Sequence, residues 1–165
     1  MIYRSTRPHV AELGQFEDTQ EFRNVNRFEN LRERPDVLIL RYDAQLYFAN
    51  ANHFKETIKT ATERKNDTKL LILNAESINS MDSTGIATLQ EVVTDLREND
   101  IAIYLTGVIG PVRDILYKTG LMQEIGEENF FLDIPYALDF YDRKVAGDQP
   151  KKRKYATQSF HRAKV

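Results

Sequence analysis

The sequence feature that most constrains the fold is an alternation of short apolar runs with amphipathic helical patterns along residues 37–144. The apolar runs are VLILRY, KLLILN and IAIYLTG, and their continuity is typical of strands covered on both faces. Between them, apolar residues recur with the period of a helix that buries one face. Short turns between these segments favour right-handed crossovers and a parallel sheet with helices packed on it. The sequence therefore predicts a single α/β domain.

Two of the helices can be placed by their spacing. The first is expected to run from Asn50 or Asn52 to about Lys65, with an asparagine as its N-cap. The second begins within the stretch LLILNAESINSMDSTGIATLQ at residues 70–90. The inner faces of the two helices are predicted to be formed by Phe54, Ile58 and Ala61, and by Ile86, Leu89, Val93 and Leu96.

The remaining segments complete the predicted sheet. VAEL (10–13) is expected to be a short strand, and QLYFA a second extended piece after VLILRY. EFRNVNRFENLRERP indicates an irregular or weakly helical connector. A third helix is expected to begin at Gly110 and Pro111, NFFLD to form a short strand, and IPYALDFYDRK to form the last helix. We expect a mixed, mostly parallel sheet of about five strands with an antiparallel N-terminal edge, and about four helices.

Composition and charge exclude several classes of function. The chain has no cysteine, so disulfides, thiolate catalysis and cysteine-zinc sites are absent from it. No apolar run is long enough to span a membrane. From Lys144 to Val165 there are seven Lys or Arg and one acid, so the other 143 residues are acidic and a poor match for nucleic acid. We divide the chain into a connector with a first edge strand (1–36), a core (37–144) and a basic, disordered tail (145–165).

The loops that follow the parallel strands are where a site is expected, because ligands of open α/β sheets bind beyond the carboxyl ends of the strands. The candidate residues are Asp82, Ser83, Thr84 and Gly85 after KLLILN, and Thr106 and Gly107 after IAIYL. Ile78 and Met81 lie in the same loop, which we expect to be mobile. They are interpreted either as partner contacts or as side chains packed under the sheet.

Three interpretations of the D-S-T-G segment remain open. Asp82 or Ser83 could cap the following helix. A phosphate on Ser83 or Thr84 would be stabilised by the free N–H groups and the dipole of the helix N-terminus. The same N–H groups, with those of Thr106 and Gly107, could bind a nucleotide or a small anion.

No catalytic, metal or cofactor site is predicted. A hydroxyl nucleophile needs a neighbouring base, and the only histidines are His9, His53 and His161, none of which is placed beside D-S-T-G by the sequence. No metal-binding or phosphate-loop motif occurs. We therefore expect a protein that is not an enzyme.

The segment MDSTGIATL, placed between a buried strand and a helix and followed by IAIYLTG, resembles the STAS domain of anti-sigma factor antagonists. In that family the hydroxyl matching Thr84 is the target of a partner kinase; Ser83 and Asp82 match its neighbours. YRSTRPHVAELG (3–14) is similar to the connector that leaves the membrane domain of SulP-type anion transporters. VLILRYDAQLYFANANHF, GPVRDILYKTGL and IPYALDF are similar to the STAS domain of those transporters, so the resemblance covers about residues 3–144.

The resemblance implies a cytoplasmic C-terminal regulatory domain of a SulP-type transporter for sulfate or another small anion. Its partners would be a transmembrane domain of the same polypeptide, a cytoplasmic regulatory protein or kinase, and a second copy in a homodimer. It would lie at the cytoplasmic face of the membrane, and the fragment alone would be soluble. The alternatives are a stand-alone anti-sigma factor antagonist switched by phosphorylation, and a nucleotide-binding regulatory module.

Overall fold

A computed structural model describes residues 6–148, which form a six-stranded sheet flanked by helices on both faces. The strand order is β2-β1-β3-β4-β5-β6. β3, β4, β5 and β6 are parallel, whereas β1 pairs antiparallel with both β2 and β3, as predicted for the N-terminal edge. The strands are β1 (Val10–Gln15), β2 (Phe22–Asn24), β3 (Val37–Tyr42), β4 (Leu70–Asn74), β5 (Ala102–Thr106) and β6 (Phe130–Phe131).

Five α-helices and one 3₁₀ turn (Glu127–Asn129) occur in the part of the chain that the structure describes. The α-helices are α1 (Ala51–Arg64), α2 (Ser83–Glu98), α3 (Gly110–Lys118), α4 (Leu121–Ile125) and α5 (Ile134–Val145). The predicted α1 and α2 are confirmed, and their buried faces contain the residues expected from the spacing, except that Ile86 is only partly buried.

The two faces of the sheet are covered unequally. One face packs α1, α2, α3 and α4 onto side chains such as Leu40, Leu73 and Leu105, and forms the larger core. The other face carries Ile39, Ile72 and Tyr104, and the helix that packs on it is α5. Successive residues of a strand point to opposite faces, so each continuous apolar run supplies both cores.

The structure corrects three local predictions. The sheet has six strands, because FRN in the predicted connector pairs with β1 as a short edge strand. QLYFA is not a strand: only Leu46 forms a single bridge, to Met81, and the following residues form a turn. The predicted helix count omitted α4, a five-residue helix that follows α3 after Gly120, which has a φ of +81°. Segments as short as FRN and α4 carry too few residues for a periodic signal.

Asn50 occupies the predicted N-cap position of α1, but its side chain does not cap the helix. Its Oδ1 accepts a hydrogen bond from the backbone N–H of Tyr47 at 3.1 Å, and its Nδ2 donates to the carbonyl of Gln45 at 2.7 Å. The buried amide thus closes the turn that precedes the helix.

The topology brings the start of the described chain to the same edge as the candidate loops. β1 runs antiparallel to β3, so Val10 pairs with Tyr42 at the carboxyl end of β3. The carboxyl ends of β4 and β5 lie beside it, because Arg41 pairs with Asn74 and Asn74 with Thr106. The boundary at residue 36 stays a prediction, and the tail from residue 149 lies outside the described residues.

Candidate functional site

Two loops are joined at the carboxyl edge of the sheet. The backbone N–H of Leu46 donates to the carbonyl of Ser80 at 3.0 Å, and the N–H of Asp82 donates to the carbonyl of Leu46 at 3.3 Å. Leu46 and Met81 form a parallel bridge between these bonds. The loop after β3 is therefore fixed to the segment that opens α2.

Asp82 is the N-cap of α2, and its carboxylate serves both loops. Oδ1 accepts from the backbone N–H of Gly85 at 2.7 Å, which is the expected capping bond. Oδ2 accepts from the backbone N–H of Phe48 at 2.9 Å. Hydrogen bonds from the N–H groups of Gly85, Phe48 and Thr84 hold the pKa of Asp82 below its ordinary value of 3.8, because they favour the charged form. The carboxylate is consequently ionised at neutral pH.

Gly85 lets the first turn of α2 approach the backbone of Leu46. A Cβ on residue 85 would overlap the carbonyl oxygen of Leu46 and would stand 2.9 Å from its carbonyl carbon. The glycine is therefore required by the close packing of the two backbones.

Ser83 and Thr84 are exposed in the first turn of α2, where the hydroxyls are accessible to a modifying enzyme. Of the histidines in residues 6–148, His9 pairs with Asp43 (Nδ1 to Oδ2, 2.9 Å) and His53 contacts the carbonyl of Pro8 (3.3 Å). Neither His9 nor His53 is therefore paired with the hydroxyl of Ser83 or Thr84.

Ile78 and Met81 are not surface residues, so the prediction that they contact a partner is wrong for this structure. Ile78 is 0% exposed and Met81 is 7% exposed, and both belong to the larger core. The alternative interpretation, that they pack under the sheet edge, is the one observed. With Ala75 they anchor the loop to the larger core, which argues against the expectation that the loop is mobile.

Gly107 does not present a free N–H group to an anion, as the third interpretation required, and Thr106 is buried. The N–H of Gly107 donates to the carbonyl of Phe131 at 3.1 Å. The carbonyl of Thr106 accepts from Ala75 at 2.8 Å, and the Thr106 side chain is buried. At the other loop, the N–H of Gly85 is already bonded to Asp82. A nucleotide phosphate would have to displace an ionised carboxylate, which argues against this module.

The residues missed by the sequence analysis are those that join separate segments. Phe48 is one: its side chain is 72% exposed, and its N–H is bound by Asp82. Asp43 is another, because it pairs with His9 and also receives two bonds from Arg41, at 2.7 and 3.0 Å. The available signal for Phe48 was its place in VLILRYDAQLYFANANHF, the segment similar to transporter STAS domains; no signal in the sequence indicated the contacts of Asp43.

Across residues 6–148 the structure shows no cluster of acidic and histidine side chains suited to a metal ion. Within that same range, no helix has the length and hydropathy needed to cross a bilayer.

Comparison with known proteins gives a family. A model of the STAS domain matches residues 29–137. The chain is 25% identical over 158 residues to sulfate transporter 1.1 of Arabidopsis thaliana, which covers 90% of this chain and 24% of that protein. It is 27% identical over 145 residues to a probable sulfate transporter of Mycobacterium tuberculosis, covering 87% of this chain and 26% of that protein. The chain thus spans about a quarter of the length of these relatives.

Solved structures share the fold. The murine Slc26a9 anion transporter superposes with a TM-score of 0.78 at 22% identity, over 86% of this chain and 23% of that one. The phosphorylated form of the Bacillus cell fate determinant SpoIIAA superposes with a TM-score of 0.51 at 17% identity, over 67% of this chain and 95% of that one.

Proposed function

Because this chain belongs to the STAS domain family, we propose that it is the cytoplasmic, non-catalytic regulatory domain of a SulP-type transporter for sulfate or another small anion. The relatives named as sulfate transporters support the class of cargo, and their greater length supports a membrane domain elsewhere in the same polypeptide. The basis of the proposal is that several transporter relatives match nearly the whole of this chain with only about a quarter of their own length.

The geometry of one edge supports a regulatory role. The segment that leads into β1 lies against the domain through the hydrogen bond of His9 with Asp43 and the contact of His53 with Pro8. This is also the edge where β3 and β4 end and where the loop leading to α2 follows, because Val10 pairs with Tyr42. A chemical modification of the D-S-T-G segment would thus lie at the same edge of the sheet as the part of the connector that precedes β1.

We include phosphorylation of Ser83 or Thr84 in the proposed regulation. Both residues are exposed in the first turn of α2, and one protein of the same fold, the cell fate determinant SpoIIAA, is known in a phosphorylated form. A cytoplasmic kinase and a regulatory partner are the binding proteins that this proposal requires.

The first test is an immunoblot of fractionated native cells with an antibody against this chain. A band much heavier than 19.2 kDa in the membrane fraction is expected. A band of 19.2 kDa in the cytosol would overturn the transporter assignment.

The second test addresses regulation. In the full-length gene product, Thr84→Ala and Ser83→Ala are each compared with Thr94→Ala, a replacement at an exposed position in the C-terminal half of α2. Phosphopeptide mapping of the unsubstituted protein should detect phosphate within residues 70–97. This phosphate should be lost in Thr84→Ala or in Ser83→Ala and kept in Thr94→Ala. Sulfate uptake should change in the same variant; unchanged uptake and an absence of phosphate under varied growth conditions would contradict the switch.

A stand-alone antagonist of an anti-sigma factor is the second candidate function. The D-S-T-G segment and the likeness to SpoIIAA favour it. The match to transporter relatives over 90% of this chain, including residues before the family match at 29, weighs against it.

A further inference from the structure

The Asp82 carboxylate connects two segments that are far apart in the sequence. Oδ1 caps α2 through Gly85, and Oδ2 holds the N–H of Phe48, 34 residues earlier. A helix cap needs only the first of these bonds, so the second has a separate consequence: it couples the position of the cap to the turn before α1.

The turn that contains Phe48 has few side-chain contacts on the side that faces solvent. The Phe48 side chain is 72% exposed and contacts the Tyr47 ring edge-to-face, with the ring centroids 5.4 Å apart. Asn50 fixes Tyr47 from the inner side through its own side chain. The Phe48 backbone therefore relies on Asp82, because burial of its ring contributes little to its position.

A phosphate on either neighbouring hydroxyl would act directly on this carboxylate. A kinase would transfer the terminal phosphoryl group of ATP to the Ser83 or Thr84 oxygen, releasing ADP and the hydroxyl proton. The product adds about −1.5 to −2 charges within two residues of an ionised aspartate. It competes for the same N–H groups of α2 and repels the aspartate, since both groups are anionic.

We propose that Asp82 is a relay that converts negative charge at Ser83 or Thr84 into release of the Phe48 turn. With phosphate on the helix N-terminus, the carboxylate leaves the Phe48 N–H and the exposed aromatic turn changes conformation. A partner would then detect a displaced aromatic surface as well as the added charge. This relay rests on the proposed phosphorylation for its use in the cell, whereas its mechanism is a property of the isolated chain.

The test is residue-resolved hydrogen exchange by NMR on the whole 165-residue chain. Three forms are compared with the unmodified chain: phosphoserine incorporated at position 83, phosphoserine incorporated at position 84, and Asp82→Asn. In Asp82→Asn and in at least one phosphorylated form, exchange at the Phe48 amide should accelerate by about tenfold or more. Amides in the centre of β4 should exchange at unchanged rates.

Asp133→Asn is the matched control. Asp133 caps α5 through the N–H of Tyr136 at 3.1 Å and belongs to a different loop, so its replacement should leave Phe48 unaffected. Exchange at Phe48 within about twofold of the unmodified rate in both phosphorylated forms would overturn the relay, even if Asp82→Asn is poorly folded. Because the phosphate is introduced synthetically, this result is independent of whether native cells phosphorylate the chain.

Discussion

The backbone of Leu46 packs directly against Gly85, with the Leu46 carbonyl carbon 2.9 Å from the position that a Cβ on residue 85 would occupy. Gly85 belongs to the first turn of α2, where an alanine would ordinarily be the better helix former. The glycine is thus explained by a contact between two loops and not by local helix geometry.

Gly85→Ala should destabilise the domain by about 1–3 kcal/mol, because the added methyl group must move the Leu46 backbone and strain the core around it. Gly110→Ala is the control: residue 110 is the first of α3 and a Cβ there meets nothing within 4 Å. This variant should be neutral or more stable by about 0.5 kcal/mol. Urea unfolding of both variants measures the difference, and equal stabilities would show that the two backbones separate easily.

Ile78→Ala should destabilise the domain by about 2–5 kcal/mol, the usual cost of emptying a buried aliphatic site. The side chain is 0% exposed although it lies in a polar loop. Asn79→Ala, at the exposed next position, should change stability by no more than about 0.5 kcal/mol. Thermal and chemical unfolding provide the comparison; a small effect at Ile78 would mean that the loop is not anchored there.

Replacement of Asp82 should have a pH-dependent effect on stability. The pKa of Asp82 is lowered in the folded chain, so its ionised form stabilises the fold above the ordinary pKa of 3.8. This contribution is lost as the pH falls below 3.8 and through the lower folded pKa. The difference in unfolding free energy between the native chain and Asp82→Asn should thus be largest at neutral pH and shrink in acid. A difference that is constant from pH 7 to the acid limit of folding would contradict the role of the charge.

Arg34→Gln should loosen the attachment of the segment before β3 to α5. Arg34 bonds to Asp36 at 2.8 and 3.0 Å and to Asp142 at 2.7 Å, and its guanidinium lies 5.8 Å from the centre of the Tyr141 ring. Because the pairs are partly exposed, the expected loss is about 0.5–1 kcal/mol.

Arg143→Gln, which removes the pair with Asp139 on α5, is the control and should cost about 0.3–0.5 kcal/mol. Hydrogen bonding to Arg34 lowers the pKa of Asp36, so the effect of Arg34→Gln should also diminish as the pH falls below 3.8. Urea unfolding at neutral and acidic pH tests both statements; an Arg34 effect that persists unchanged in acid would point to lost packing on Tyr141.

The predictions from sequence succeeded where a periodic pattern extends over several turns or pairs. VLILRY, KLLILN and IAIYL form the central strands β3, β4 and β5, and α1 was placed within one residue at each end. They failed at QLYFA, which has the composition of a strand but lies in a turn closed by the side chains of Asn50 and Asp82. Both side chains lie outside QLYFA, so the composition of that segment could not indicate the turn.

Sequence alone determined the class of fold and its mixed sheet, and it limited a cap of α2 to Asp82 or Ser83, because periodicity and capping are local properties of the chain. Only the tertiary structure decided how the residues of the candidate site are arranged. It buried Ile78 and Met81, engaged the N–H groups of Gly85 and Gly107, and placed Phe48 on Asp82. The reason is physical: a backbone N–H or an apolar side chain in a loop has no fixed partner until packing brings a distant segment to it.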